Sequence, residues 1–430
     1  MSASDFIKRQ LLHLREGGTT ALFRKAKRAL KILFRSPLFV AAIPMVLVMR
    51  LIRPLLLVRL GPLISSRIGH FAANTELYLC ERDAGINVPE QRHMDILYAA
   101  YRPICNRQLV AMWARIIRIW PAWIVDPVFR VNRMIPGGSA HETGMTAQND
   151  RDIHNLLDRF PPHLEFTAEE ELAGESGLQA MGIPKGAPFV CLIVRDSAYL
   201  GAHLGDGDYS YHNYRDSDIQ NYVLAAEELA SRGYYVIRMG ARVHGAIKSR
   251  HPMVIDYATN GMRNDFMDIY LGAKCKFCIS VGTGFDAIPL VFRRPILYVN
   301  IVPLGYLFTF RSCFIGITKH HFLREENREM TLREIFATGA GFGVQTSDYE
   351  SRGIRLMENS PEEIRDVAVE MAERLDGTWQ TENDDGALQQ RFWEIFPAGA
   401  KDAAGRAPLH GDIRGRFGAN FLRSHRSWLQ

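Results

Sequence analysis

The sequence predicts an α/β protein whose main element is a doubly wound parallel sheet. Short apolar runs typical of buried strands alternate with helical patterns between residues 189 and 300. Strands separated by helices at this spacing pair in parallel through βαβ units. The predicted strands are Phe189–Val194, Tyr234–Arg238, Met253–Tyr257, Cys275–Val281 and Ile296–Asn300. The predicted helices between and after them are Ile219–Arg232, Asp265–Gly272, Asp286–Phe292 and Ile364–Leu375.

Capping residues support these helix ends. Gly233 follows the first helix, where glycine readily takes the left-handed conformation that ends a helix. Ser360, Pro361 and Glu363 supply an N-cap, a first-turn proline and a capping-box glutamate for the last helix. The N-terminal half is less regular. Its predicted strands are Leu55–Leu60 and Asp95–Ala99, and its helical patterns cover Gln108–Ile119 and His154–Phe160.

Composition and charge place the chain among folded proteins and disfavour nucleic-acid binding. At 430 residues it is long enough for two or three domains. Residues 1–60 contain 12 lysines and arginines but 2 acidic residues, so the net charge of +5 hides a mildly acidic body without a basic stripe. The six cysteines lie among apolar residues, as reduced thiols of a cytosolic protein do. Cys275 and Cys278 form a C-x-x-C that no second pair at zinc spacing accompanies.

The N-terminal segment has the pattern of a membrane-surface anchor. Ala21–Phe34 predicts a helix with an apolar face and a lysine- and arginine-rich face, which suits an anionic membrane. Leu38–Met49 is apolar but interrupted by Pro44, and a spanning helix needs ~20 apolar residues. No cleavage site of a secretory signal follows. We therefore expect a cytoplasmic protein attached peripherally to the inner membrane. The alternatives are a helical hairpin packed on the body and an irregular single span.

A glycine-rich turn is the most informative motif. Phe277–Pro295 contains a short strand, the turn S-V-G-T-G, and the start of a helix. Backbone N–H groups at a helix start favour an anion, and glycines at 282 and 284 let a phosphate approach the backbone. Ser280 and Thr283 add hydroxyl groups, and Asp286 lies in the first turn of the helix. This pattern predicts a diphosphate ligand, although such a turn also occurs where it only makes the corner between a strand and a helix.

Polar residues follow several predicted strands, as expected of a ligand site at the carboxyl ends of a parallel sheet. These residues are Arg195 and Asp196, Arg238 and Gly240, Asp256 and Tyr257, residues 280–284, and Asn300. Two arginines beside a glycine-rich helix start suit a nucleotide diphosphate. The alternative for each arginine is a salt bridge to a nearby carboxylate.

Two further segments carry candidate ligand contacts. Asp216 or Ser217 is the expected N-cap of the following helix. The residues before them combine polar, aromatic and basic groups, which suits a sugar or a base. These residues are His212, Asn213, Tyr214 and Arg215. His70, after Gly69 in the N-terminal half, is a candidate acid or base, although a single loop histidine is often neither.

Several of these motifs resemble a family of predicted bacterial glycosyltransferases linked to surface-polysaccharide synthesis. The most specific are H-N-Y-R-D-S-D-I-Q-N-Y at 212–222, G-Y-Y-V-I-R-M-G at 233–240 and S-V-G-T-G-F-D-A-I-P at 280–289. R-I-G-H at 67–70 and I-C-N-R at 104–107 also fit, and the resemblance covers roughly residues 55–375. By contrast, G-T-G-F-D-A departs from the dinucleotide-binding pattern G-x-G-x-x-G, which is expected early in a chain.

The resemblance implies the GT-B architecture, in which two Rossmann-like domains face a central cleft. The predicted parts are a membrane-associating segment at 1–54, an acceptor-side α/β domain at 55–185, a nucleotide-sugar donor domain at 186–380 and a C-terminal tail at 381–430. The expected function is transfer of a sugar from a nucleotide diphosphate donor to a lipid-linked or polysaccharide acceptor.

Each candidate residue has an expected role in this reaction. Ser280, Gly282, Thr283 and Gly284 are expected to hold the diphosphate, and Asp286 to contact ribose or sugar hydroxyls. Residues 212–215 are expected to line the donor cleft. Arg238, with Arg195, is expected to neutralise charge on the leaving group. His70 or Asp196 is the expected base.

No metal or cofactor is predicted, because no D-x-D motif is present and enzymes of GT-B architecture in general act without a bound metal. Two other functions fit the same sheet. One is another nucleotide- or phosphosugar-binding enzyme, such as an epimerase or a dehydrogenase. The other is a membrane-attached scaffold that has lost its chemistry.

Overall fold

The computed structural model describes residues 37–145, 150–198, 210–402, 405 and 407–430. The chain divides into two compact units. Among the described residues, the first unit comprises 37–63, 89–100 and 117–145, and the second comprises 64–88, 101–116 and those from 150 onward. The predicted parts, with boundaries at 54, 185 and 380, stay a prediction. Helix Ile68–Asp83 packs on helix Ala287–Val291, which joins residues 64–88 to the larger unit.

The described strands and helices are numbered in chain order. The strands are β1 Leu57–Leu63, β2 His93–Ala99, β3 Phe189–Ile193, β4 Tyr235–Arg238, β5 Val254–Ile255, β6 Phe277–Ser280, β7 Ile296–Ile301, β8 Phe314–Thr318, β9 His320–Leu323, β10 Arg328–Glu329, β11 Ile354–Met357 and β12 Arg416–Phe417. The helices are α1 (37–51), α2 Ile68–Asp83, α3 Arg107–Ala114, α4 Ala122–Met134, α5 Ala168–Ala180, α6 Val223–Ser231, α7 Asp265–Lys274, α8 Ala287–Val291, α9 Leu332–Ala337, α10 Thr346–Glu350, α11 Pro361–Asp376, α12 Asp385–Ile395 and α13 Ala419–Ser424.

The smaller unit is built on two parallel strands. β1 and β2 pair in register from Leu57 with His93 to Leu63 with Ala99. Its core joins α1, both strands and α4 through buried side chains that include Val46, Leu60 and Phe129. The described residues show two further parallel bridges, at 142 and 119, but no larger sheet in this unit. A second Rossmann-like domain is therefore not confirmed.

The larger unit contains a seven-stranded parallel sheet in the order β12-β8-β7-β6-β3-β4-β5. Every residue of β3, β6 and β7 is buried, as expected of strands that are covered on both faces. Counted along the chain from β3, the first six strands have the order 3-2-1-4-5-6 of the doubly wound fold. The predicted mixed α/β fold with a large parallel sheet is confirmed.

This strand order defines where a ligand is expected. The order reverses between β3 and β6, which are neighbours in the sheet although 83 residues lie between the end of β3 at Ile193 and the start of β6 at Phe277. Chain segments that leave these two strands diverge to opposite sides, which opens a crevice at their carboxyl ends. The residues that follow β3 and β6 begin with Arg195 and with the glycine-rich turn.

Several elements differ from their predictions. The helix expected over Ile219–Arg232 begins as a 3₁₀ turn at Ile219–Tyr222 and continues as α6. The helix expected from Asp286 likewise begins as a 3₁₀ turn at Gly284–Asp286, before α8. His154–Phe160 contains a 3₁₀ turn at Leu156–Asp158 in place of a helix. The predicted capping box of α11 is confirmed, with Ser360 accepting from the backbone of Glu363.

The sequence analysis missed β8 and the small antiparallel sheet β10-β9-β11. Gly316 interrupts the apolar pattern of β8, although all five residues of the strand are buried. The small sheet has strands of two to four residues, which are too short for a clear alternation of polar and apolar side chains.

The N-terminal prediction is covered in part. Ala21–Phe34 lies outside the described residues, whereas Leu38–Met49 lies within α1, Pro44 included. Among the described helices, none has the length and apolarity required to span a bilayer. All six cysteines are free thiols, and four of them are buried, including Cys275 and Cys278.

Candidate functional site

The glycine-rich turn after β6 is held together by its own side chains. The Ser280 hydroxyl donates a 2.9 Å hydrogen bond to the Asp286 carboxylate and accepts one of 3.1 Å from the Gly282 N–H. Both side chains are buried. Gly282 has a φ of +75°, which L-amino acids with a side chain rarely adopt. Ser280 and Asp286 therefore shape the turn from inside, and their contacts are with each other.

Helix α2 begins against this turn. A Cβ atom added to Gly69 would lie 3.0 Å from the Cα of Gly284, so the two backbones touch at glycines. Arg67, the N-cap of α2, makes no side-chain capping bond, and the first turn of α2 holds no acidic residue. Among the described residues, no side chain accepts from the first N–H groups of this 16-residue helix, and these groups lie beside the turn. Such a helix N-terminus attracts an anion.

Basic side chains gather at the same place. Arg215 donates to the carbonyl oxygen of Gly282. Arg195 forms a 3.0 Å ion pair with Asp216, and its pKa is lowered by burial and by the charge of Arg215. The pKa of His212 is lowered by burial and by the charges of three arginines, 195, 215 and 67. Three guanidinium groups therefore act on one imidazole, and the Asp216 carboxylate pairs with one of them.

His212 and Thr283, two of the residues gathered at the turn, each have a buried polar atom without a hydrogen-bond partner among the described residues. The Nδ1 atom of His212 and the hydroxyl of Thr283 are buried, and neither bonds to any residue that the structure describes. Buried polar atoms are nearly always paired in native proteins, so an orphan atom indicates a bound group or water. Both atoms belong to residues that the sequence analysis predicted to lie in the donor site.

Lys319 is a basic residue that the sequence analysis missed. It follows β8, is 4% exposed, and donates a 2.5 Å hydrogen bond to the carbonyl oxygen of Asp216. Burial lowers its pKa. The sequence contains the signal, because Lys319 directly follows the run F-I-G-I-T, but this run is not among the predicted strands. The strand-end rule would otherwise have selected Lys319.

Arg238 is placed inside the sheet. It is 1% exposed, and it forms a 3.3 Å ion pair with Asp256. Asp256 also accepts from the backbone N–H of Ile247. The salt-bridge alternative considered for the arginines thus describes the contact of Arg238 with Asp256 and also that of Arg195 with Asp216. Gly240 has a φ of +153°, and an added Cβ would lie 2.7 Å from the side chain of Val243.

Asp196 and Tyr214 are engaged in local structure. The Asp196 carboxylate accepts from the backbone N–H groups of Ala198 and His244, at 3.0 and 3.1 Å. The ring of Tyr214 is buried with its centroid 5.5 Å from that of Tyr349. These contacts order the loops around the turn.

His70 and Asn213 are more accessible. His70 lies in the first turn of α2, next to Gly69, with its Nδ1 3.2 Å from the Asn74 side-chain oxygen and 3.9 Å from Asp150. Asn213 is exposed, and its carbonyl oxygen accepts from the N–H of Asp216. The structure therefore brings together Arg195, His212, Arg215, Gly282, Thr283 and Gly284, with His70 beside them on α2.

Comparisons with known proteins give weak structural likenesses. No family model matches the chain, and no curated protein matches it. The Escherichia coli ADP-heptose LPS heptosyltransferase II is 13% identical over 57% of this chain and 86% of its own, with a TM-score of 0.33. A glycosyl transferase of family 9 from Veillonella parvula DSM 2008 is 10% identical over 74% and 96%, with a TM-score of 0.38.

A third solved structure is the E. coli heptosyltransferase WaaC with ADP-2-deoxy-2-fluoro heptose. It is 12% identical over 56% of this chain and 88% of its own, with a TM-score of 0.28. At such TM-scores these likenesses carry no argument about function, which depends on the residues of the chain itself.

Proposed function

We propose that the chain is a glycosyltransferase that moves a sugar from a nucleotide diphosphate donor to a lipid-linked or polysaccharide acceptor in surface-glycan synthesis. The observation that carries the proposal is the convergence of Arg67, Arg195 and Arg215 with the uncapped start of α2 at the switch point of the sheet. Sugar transfer leaves a nucleoside diphosphate whose charge grows as the bond to the sugar breaks. Fixed cations at that position stabilise the transition state.

The donor diphosphate is assigned to the gap between α2 and the glycine-rich turn. Backbone N–H groups of Ile68 and Gly69 and the hydroxyl of Thr283 supply donors, and Arg195 and Arg215 supply charge. His212 lies among these charges with an unpaired Nδ1 and is assigned to the sugar or phosphate oxygens. Ser280 and Asp286 support the turn from behind.

The acceptor base is assigned to His70. Its ring belongs to the first turn of α2 and is half-buried, whereas both carboxylate oxygens of Asp196, the other candidate, already accept backbone N–H groups. Arg238 acts through Asp256, which orders the strand ends beside the site. The nucleotide sugar is the substrate, and neither a cofactor nor a metal is assigned to the reaction.

The remaining parts of the proposal concern architecture and location. We assign the larger unit to the donor and propose that the N-terminal part completes a GT-B arrangement that binds the acceptor. We also propose peripheral attachment to the cytoplasmic face of an inner membrane. The support is the exposed apolar face of α1, which follows a segment rich in lysine and arginine.

The test is a ligand screen with a matched pair of variants. Thermal shift is measured with UDP, GDP, ADP, their sugar conjugates and NAD, and the best donor is then used to assay transfer. We expect a nucleoside diphosphate or its sugar to stabilise the protein. Arg215→Ala should weaken that binding by roughly 10-fold or more, since a charge-assisted hydrogen bond contributes about 1.5–3 kcal/mol.

The control is Arg365→Ala, which removes a surface arginine paired with its neighbour Asp366. It should bind the ligand as the unmodified chain does. Stabilisation by NAD alone would instead support a dehydrogenase. Stabilisation by none of the nucleotides would support the scaffold.

A further inference from the structure

A second polar cluster lies away from the proposed donor site. It joins the start of β9, the first turn of α11 and the residue after α13. His320 and His425 direct their Nε2 atoms at the two oxygens of Glu363, at 3.0 and 3.3 Å. The three ligand-type atoms lie within 4.8 Å of one another, and the three side chains are 16–22% exposed.

The other nitrogen of each ring already has an acceptor. His320 Nδ1 lies 2.7 Å from the Glu329 carboxylate, and His425 Nδ1 lies 2.9 Å from the carbonyl oxygen of Phe421. An oxygen acceptor at Nδ1 places the proton of a neutral imidazole there and leaves a lone pair on Nε2. Both lone pairs then face the Glu363 carboxylate. Two lone pairs and a carboxylate that face one another are suited to share a cation.

No lysine or arginine of the described residues supplies that cation. Within the described residues, Glu363 and Glu329 form ion pairs with histidines and with no lysine or arginine. A comparable cluster elsewhere shows the contrast. Glu76, Cys80 and His163 are equally close together, but Arg293 donates to Glu76 at 2.6 Å and thereby supplies the cation itself.

We propose that His320, Glu363 and His425 bind a divalent transition-metal ion, with Zn²⁺ as the best fit. Two imidazole nitrogens and one carboxylate oxygen are a zinc ligand set, with metal–ligand distances of about 2.0–2.2 Å. Ligand atoms 3.0 and 3.3 Å apart are compatible with one shared ion at those distances. The Nδ1 contacts to a carboxylate and to a carbonyl are those that orient histidine ligands in metal sites.

The surroundings hold the rings in place for this role. The ring of Phe421 stacks against His425 at 4.3 Å between centroids and against His320 at 5.6 Å. The three ligands come from segments far apart in the chain, so the ion ties the small antiparallel sheet to α11 and to the C-terminal residues. We assign it a structural role that is independent of the proposed transferase activity.

The experiment uses the full chain, freed of metal by dialysis against a chelator and titrated with Zn²⁺ alone. We expect one ion per chain, a rise in melting temperature on binding, and visible Co²⁺ absorption of a four-coordinate site after substitution. Glu363→Gln should weaken zinc binding by at least ~10-fold while it keeps the capping box, which accepts glutamine. His425→Gln should have the same effect, and Glu329→Gln should cost ~10-fold through the orientation of His320.

His93→Gln is the control, because His93 lies in the smaller unit and faces the carbonyl oxygen of Gln91. It should leave zinc binding unchanged. If the unmodified chain binds no zinc, the proposal is overturned, and protons on the histidines account for their contacts with Glu363. Unchanged zinc binding by both Glu363→Gln and His425→Gln would also overturn it, because the ion would then bind elsewhere.

Discussion

At the scale of single residues, the side chains of the glycine-rich turn separate into those that build it and those that face a ligand. Asp286 accepts from Ser280, and burial raises its pKa from 3.8 to about 7, against the lowering effect of that hydrogen bond. The Thr283 hydroxyl has no hydrogen-bond partner among the described residues, and Thr283 is the residue of the turn that is left for ligand contact in the proposed site. The proposal therefore assigns the ligand contacts to Thr283 and the arginines and the shape of the turn to Asp286.

The raised pKa of Asp286 has a consequence for stability. Between about pH 4 and pH 7 the native state holds a proton that the unfolded chain has released. The native state binds more protons in this range, so its stability falls as the pH rises. Asp286→Asn should remove this component, which is at most about 1.4 kcal/mol for each unit of pKa difference. Denaturant unfolding from pH 4 to pH 8 measures this component, because the free energy of unfolding should change less steeply with pH in the variant than in the parent.

Asp412→Asn provides the reference for that measurement, because the Asp412 side chain is 83% exposed. Its pH dependence should match that of the parent. If the pH dependence of stability is the same in Asp286→Asn and in the parent, Asp286 is ionised in the folded chain throughout this pH range, and neighbouring groups compensate its buried charge.

At the scale of elements, the site depends on how α2 meets the turn after β6. The contact between Gly69 and Gly284 leaves no room for a side chain, since an added Cβ at Gly69 would meet backbone atoms of Gly284 at 3.0 and 3.2 Å. Backbone atoms on both sides cannot rotate away as a flexible side chain would. This close approach is what puts the uncapped N–H groups of α2 beside the turn.

Gly69→Ala should therefore separate the two elements by a few tenths of an ångström. We expect the free energy of unfolding to fall by about 1–3 kcal/mol, as is typical of overpacking. We expect the affinity for the nucleotide to fall by more than this loss of stability alone would cause. Gly399→Ala is the control, because an added Cβ there has no neighbour within 4 Å. Urea unfolding and ligand-induced thermal shift measure the two effects. Unchanged ligand binding by Gly69→Ala would place the ligand away from this contact.

At the scale of the whole molecule, the sequence predicted the large sheet well and the side-chain contacts less well. The strands β3, β6 and β7 are buried throughout and mostly apolar because both of their faces are covered, and such runs are recognisable without a structure. Arg238 and Arg195 both lie at the end of a strand and both form ion pairs, but Arg238 alone of the two is fully buried, which depends on contacts with neighbouring strands. Lys319 and Arg67 lie in segments that are distant in sequence from the turn. Local sequence patterns do not predict that such segments meet at one site.

The smaller unit has an exposed apolar face on helix α1 that the proposed site does not explain. α1 has no charged residue from 37 to 49, and it buries Ala42, Val46 and Met49 in the core of its unit. Its opposite face is apolar and exposed, with Val40 at 66%, Leu47 at 58% and Leu51 at 80%. A helix with apolar residues on all sides is typical of burial in protein or lipid. The basic residues that precede it favour an anionic lipid surface.

Membrane attachment through this face can be separated from attraction by the basic segment alone. Leu47→Glu should reduce binding to vesicles of phosphatidylglycerol and phosphatidylethanolamine several-fold, because it places a charge in the apolar contact. Leu172→Glu is the matched control, since Leu172 is 66% exposed on α5 of the other unit. Cosedimentation is measured at low and high salt, because salt screens the basic segment but leaves apolar contact intact. Equal binding by the two variants would show that α1 does not enter the lipid, and binding that disappears in high salt would assign attachment to charge alone.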